Sequence, residues 1–143
     1  MSFKNIRPAI QSVLDGIAEF QVVYNYPRVP EEFPAATIML SEAPSDYETN
    51  MENQRVYAFN VRVYYETKVG GVSNAVDALE GLVDDVVDAF DQDDLLTGAG
   101  LSLPARYTMI QLVPTPSAWQ YFLDQNYIVA EIRIQAIVSV DIT

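Results

Sequence analysis

The chain contains no cysteine and no histidine. The first absence excludes disulfides, thiolate nucleophiles and cysteine-ligated zinc or iron–sulfur centres. The second removes the commonest general base and the commonest transition-metal ligand. Positive charge is scarce too. The lysines are Lys4 and Lys68, the six arginines are scattered, and 20 acidic residues bring the net charge to −12. Gripping a phosphate backbone needs clustered Lys and Arg, so direct nucleic-acid binding is disfavoured. An acidic surface instead lets DNA slide past. Long apolar runs are also missing. Lys4 and Arg7 are not followed by an apolar stretch of signal-peptide length, and Pro8 to Phe20 is broken by Gln11, Ser12, Asp15 and Glu19. The reading is of no secretion signal and no membrane span.

What is present suffices for a core. Half of the 143 residues are hydrophobic. A single domain over 1–143 is expected, burying roughly 70% of the surface of its unfolded chain.

Ile6, Ile10, Val13, Leu14 and Ile17 form a helical stripe, which predicts a first helix over about 5–18, capped by Asn5 and tolerating Pro8 in its first turn. Phe20 to Tyr26 and Ala36 to Glu42 read as strands separated by Pro27, Pro30 and Pro34. Ala43 to Asn53 is polar and predicts an exposed loop or hairpin arm. From Arg55 to Glu66 the residues alternate. Tyr57, Phe59, Val61, Val63 and Tyr65 share the face that should meet the core, while Ala58, Asn60, Arg62, Tyr64 and Glu66 share one that stays wet or meets a partner. After Gly70-Gly71, an acidic amphipathic helix is predicted from about Val72 to Phe90. Ser73 would cap it, and its buried stripe would run through Val72, Val76, Leu79, Val83, Val86 and Phe90. Thr97 to Pro104 is turn-rich. Ala105 to Val113 reads as a strand ended by Pro114 and Pro116, and Ser117 to Leu123 as a short strand or turn around the only tryptophan, Trp119. Asn126 to Val140 alternates most clearly. The expected class is therefore α+β, a mostly antiparallel sheet with two helices packed on one face, in the order α-β-β-β-α-β-β.

No constellation argues for chemistry. The cluster Asp91-Gln92-Asp93-Asp94 lacks the glycine and later glutamate of a calcium loop, because Leu95 and Leu96 follow it. Asp84 with Asp88 and Glu31 with Glu32 are carboxylate pairs, but the first pair lies on the outer face of a predicted helix and not in a cleft. Gly98-Ala99-Gly100 has no following Lys-Ser/Thr, so it is no phosphate loop. The expectation is a protein that is not an enzyme and holds no cofactor and no metal.

Three stretches carry a resemblance: VVYNYPRVPEEFPAATI (Val22 to Ile38), QRVYAFNVRVYYETKVGGVSNAVDALEGLVDDVVDAFDQDDLLTG (Gln54 to Gly98) and YIVAEIRIQAIVSV (Tyr127 to Val140). In their pattern of aromatic, proline and apolar positions, covering nearly all of the chain, they resemble the tail terminator (tail completion) proteins of long-tailed bacteriophages. The resemblance implies a virion structural protein, made in the host cytoplasm and located in the tail or neck. It would form a ring, typically a hexamer, on the end of the tail tube, stop tube polymerisation and provide the surface that docks onto the head. Its partners would be copies of itself, the tail tube protein and a head–tail connector protein. DNA would pass through the lumen without specific binding, and no membrane would be involved. Polar arms would reach adjacent rings, and the expected interface residues are Asp46, Tyr47 and Glu48 in the first arm, Tyr64 on the outer strand face, and Leu95 and Leu96 in the second arm. The rival readings are another neck protein (a stopper or adaptor), a non-viral soluble binding module with an apolar pocket, and an acid-based hydrolase with two inward carboxylates.

Overall fold

The computed structural model describes residues 2–40, 47–48, 54–68, 70–93, 96, 98, 101, 103 and 107–140. Its elements are α1 (Ser2–Asp15), β1 (Val22–Tyr24), β2 (Ala35–Leu40), β3 (Tyr47–Glu48), β4 (Gln54–Glu66), α2 (Gly71–Gln92), β5 (Tyr107–Phe122), a 3₁₀ turn (Leu123–Gln125) and β6 (Tyr127–Val140). The sheet order is β1-β2-β4-β6-β5, with the two residues of β3 added beside β4. Only β1 and β2 run parallel; the other pairings are antiparallel. The class is α+β, as the alternation and helical periods predict.

Both helices pack on one side of the sheet. That side holds Ile6, Ile10 and Leu14 of α1, Leu79, Val83, Val86 and Phe90 of α2, Phe59, Val61 and Val63 of β4, and the even-numbered residues Ile128 to Val138 of β6. Fully burying side chains of this size contributes about 1.5–3 kcal/mol each relative to exposure. The long helix fits the sheet because its buried positions, Ala75, Leu79, Leu82, Val83, Val86 and Phe90, recur at three and four residues. Val72, expected in that stripe, is 42% exposed at the helix start.

Several boundaries differ from expectation for local reasons. The first helix begins at Ser2, so Asn5 is not its cap, and Pro8 lies inside it. It ends at Asp15, where the Gly16 N–H is shared between the Ser12 and Val13 carbonyls at 3.2 Å each, a common closure. The second helix is entered through Gly70 and Gly71, both with positive φ (89° and 84°), which only glycine adopts cheaply. Asn74, not Ser73, ties this turn: its Nδ2 donates to the Gly70 carbonyl at 2.8 Å. Of the polar arm Ala43 to Asn53, the backbone at Tyr47 and Glu48 pairs with Arg55 and Gln54; the rest of the arm lies outside the described residues.

The largest departure is β5. Pro114 and Pro116 do not end a strand; they sit inside a 16-residue one, opposite Ile134 and Ile132. The reason is position. β5 is the outermost strand, so half of its N–H groups have no ladder partner, and proline is tolerated there. The alternation of β5 is also interrupted. Register shifts fall between Met109 and Gln111 and between Pro116 and Ala118. Each extra residue moves the side chains to the opposite face. The core-side phase therefore passes from Met109 to Leu112 to Trp119, which disguises a single strand as two fragments.

Candidate interaction surfaces

The two helices leave the other side of the sheet uncovered by helix. Here β4 presents Ala58, Asn60, Arg62 and Tyr64, and β6 presents Tyr127, Val129, Glu131, Arg133 and Gln135. The sequence pattern has this face stay wet or meet a partner; in part it is instead buried within the chain. Ala35, Tyr64, Tyr127 and Val129 form a second small core, with Val22 and Phe33 packed against it. The Tyr127 ring lies 5.9 Å from Phe33, 5.7 Å from Tyr64 and 5.1 Å from Phe122, centroid to centroid. Burial, and then the neighbouring Tyr64, push the Tyr127 phenol above its ordinary value, against the pull of Arg62.

Beside this cluster, Arg62 and Glu131 are direct cross-strand partners. The Arg62 Nε donates to Glu131 Oε2 at 3.1 Å. Burial opposes the Arg62 charge, but Glu131 and Tyr64 outweigh it and hold the guanidinium above its ordinary value. Ser117, the extra residue of the second β5 bulge, donates its hydroxyl to the Glu131 carbonyl at 3.1 Å. The face is thus braced across β4, β6 and β5. Arg133 Nε and Thr37 Oγ1 on the same face are buried without a hydrogen-bond partner.

The helix side has the opposite character. The exposed flank of α2 carries Asp77, Glu80, Asp84, Asp85, Asp88 and Asp91 and no basic residue. After it, the Gly98 N–H donates to Asp93 Oδ1 at 3.0 Å, and the Leu101 N–H to the Leu96 carbonyl at 3.1 Å. Among the described residues no group of three or more acidic side chains could hold a metal ion. No helix among them is long and apolar enough to cross a membrane.

The expected interface residues therefore fare differently. Tyr64 is 5% exposed, its ring lying against Tyr127 in the second small core. Leu96 is fully buried in the main core. Leu101 and Leu103 also pack against that core, so the described part of the second arm folds inward. Tyr47 and Glu48 lie on the short strand β3. Asp46 and Leu95 lie outside the described residues.

Two other features emerge. At the turn end of the β5–β6 hairpin, Trp119, Tyr121, Phe122 and Leu123 are 42%, 56%, 38% and 51% exposed. Sequence reasoning passed over them, although the absence of charge throughout β5 was a legible signal. Toward the β1–β2 side lies a hollow of about 480 Å³, open to solvent and lined by Pro34, Tyr65, Ala78, Gly81 and Leu82, with Glu19 and Asp85 at its polar positions.

No known protein family and no curated protein matches the chain by sequence. Among solved structures, one chain of the virion of a native gene transfer agent (GTA) particle is similar. It shares 15% identity and a TM-score of 0.55, with 94% of this chain and 94% of that chain covered. The likeness is one of fold.

Proposed function

We propose that this chain is a structural protein of a phage-like virion and, within that class, a tail terminator. In this reading about six copies close into a ring that caps the tail tube, ends its polymerisation and offers the head a docking surface. The observation that carries the reading is the fold likeness over 94% of both chains to a virion component. The sequence resemblance of Val22 to Ile38, Gln54 to Gly98 and Tyr127 to Val140 to tail terminators supplies the finer assignment. The acidic flank of α2 suits a particle through which DNA moves without adhering. Catalysis forms no part of the proposal.

The test is deletion of the gene from the genome that carries it, with the resulting particles viewed by electron microscopy. Tails of uncontrolled length, separate from heads, are expected, and the chain supplied in trans should restore joined particles. Particles of normal tail length joined to heads would overturn the reading. Labelled chain found at the portal and not at the tube end would move it to a stopper or adaptor.

A further inference from the structure

The hollow beside α2 joins an apolar floor to an unmatched negative rim. Tyr65, Gly81 and Leu82 lie in it, and Glu19 and Asp85 border it. A smaller hollow of about 170 Å³ shares Pro34 and Tyr65 with it and adds Phe33 and Glu66. None of these three carboxylates has an ion-pair partner among the described residues. The glycine is informative. Gly81 has no positive φ, and a Cβ there would meet nothing within 4 Å. Neither backbone nor packing requires glycine at this place, and glycine is the least favourable helix residue after proline. Its effect is to keep the hollow open.

We propose that this groove receives a short extended segment of a partner protein, one with a leucine-like side chain between arginines or lysines. The apolar side chain enters over Tyr65, Gly81 and Leu82. The flanking basic groups need not enter, because their long stems carry the charge out to the rim. The field extends along the helix. Asp77, Asp84 and Asp88 stand four before, three after and seven after Gly81, on the same stripe of α2, and the helix contains no Lys or Arg to offset them. From Asp77 to Asp88 the helix rises about 16 Å. An extended segment of about five residues spans the same length. A second copy of this chain is a poor occupant. It brings a net charge of −12, and none of its basic residues stands next to, or next but one to, another. The segment therefore comes from a different protein with locally clustered positive charge. The contact goes beyond the ring reading and is tested apart from it.

The probe is a fluorescein-labelled peptide, Arg-Leu-Lys-Leu-Arg, titrated with the full chain at low ionic strength and followed by anisotropy. Saturable binding that weakens as salt is added is expected. The equally charged peptide Arg-Gly-Lys-Gly-Arg should bind about tenfold more weakly, having no side chain for the floor. Glu19→Gln/Asp85→Asn should weaken the leucine peptide about fivefold, as loss of exposed charge pairs does. Gly81→Gln should weaken it about tenfold by filling the hollow, while keeping the thermal midpoint of the parent, since the added side chain meets open space. Equal binding of the leucine and glycine peptides would overturn the groove in favour of diffuse attraction to the acidic flank. Parent-like binding by Gly81→Gln would place the peptide elsewhere and overturn it too. So would equal binding of Glu-Leu-Glu-Leu-Glu, or no binding at the solubility limit of the chain. Each of these failures leaves the virion reading standing, because gene deletion tests that separately.

Discussion

The centre of the sheet and its β5 edge obey different rules. At the centre, β4 and β6 are covered by helices on one side and partly by an aromatic cluster on the other. Ala58, Tyr64 and Val129 are buried on the helix-free face, while Phe59, Val61 and Ile132 are buried on the helix side. Charge there includes the cross-strand pair Arg62–Glu131 and, one strand position on, Arg133 with its buried Nε. At the edge, β5 has neighbours on one flank alone. It keeps two prolines and two bulges and leaves large apolar side chains in water. The same backbone geometry is thus exacting in one place and permissive in the other. The number of partners per strand makes the difference.

The comparison breaks most visibly if proline is moved across the ladder. Pro114 faces Ile134. Ile134→Pro would remove a ladder bond in a strand paired on both sides and should cost about 3 kcal/mol or more; a variant with the thermal midpoint of the parent would show that β6 is not central. Val83→Asp, which sets a charge in the roof over the same strands, should abolish cooperative unfolding near physiological temperature; circular dichroism melting like the parent's would mean the α2 stripe is misplaced. Ile132→Ala should lower stability by about 2–5 kcal/mol in denaturant titration, whereas Leu123→Ala at the edge tip should stay within about 0.5 kcal/mol. A double-mutant cycle on Arg62 and Glu131 should give a coupling of about 1 kcal/mol or less, because both side chains keep some solvent contact and are screened. Smallest in stability is Pro114→Val, within about 0.5 kcal/mol. Its expected signature is increased aggregation by light scattering, since it unguards the edge.

Much of the architecture was legible locally. Alternation placed β4 and β6 nearly to the residue, and the spacing from Leu79 to Phe90 placed α2 against the sheet. The prolines misled for a physical reason. Pro114 and Pro116 break a strand unless it is an edge, and edge status is a matter of sheet order, which alternation does not encode. The bulges compounded this by shifting the inward phase twice. The interface expectations met the same limit. Tyr64 belongs to a face that reads as polar, yet register brings it against Tyr127, sixty-three positions later, with Phe33 stacked on that same ring. Leu96 follows an acidic helix end and looked exposed, but the turn closed by Asp93 returns it to the core. The tip residues were overlooked because aromatic content alone does not separate core from surface.

The order of residues by itself determined the identity of the elements, the α+β class and the acidic, cysteine-free and histidine-free surface. Each of these follows from side-chain period and composition, which act over a few residues. Only the tertiary structure decided which strand would be outermost, which tyrosines would be enclosed and where apolar surface would be left without cover. Those outcomes depend on neighbours brought together from distant parts of the chain, and burial is a property of such neighbourhoods, not of any one residue.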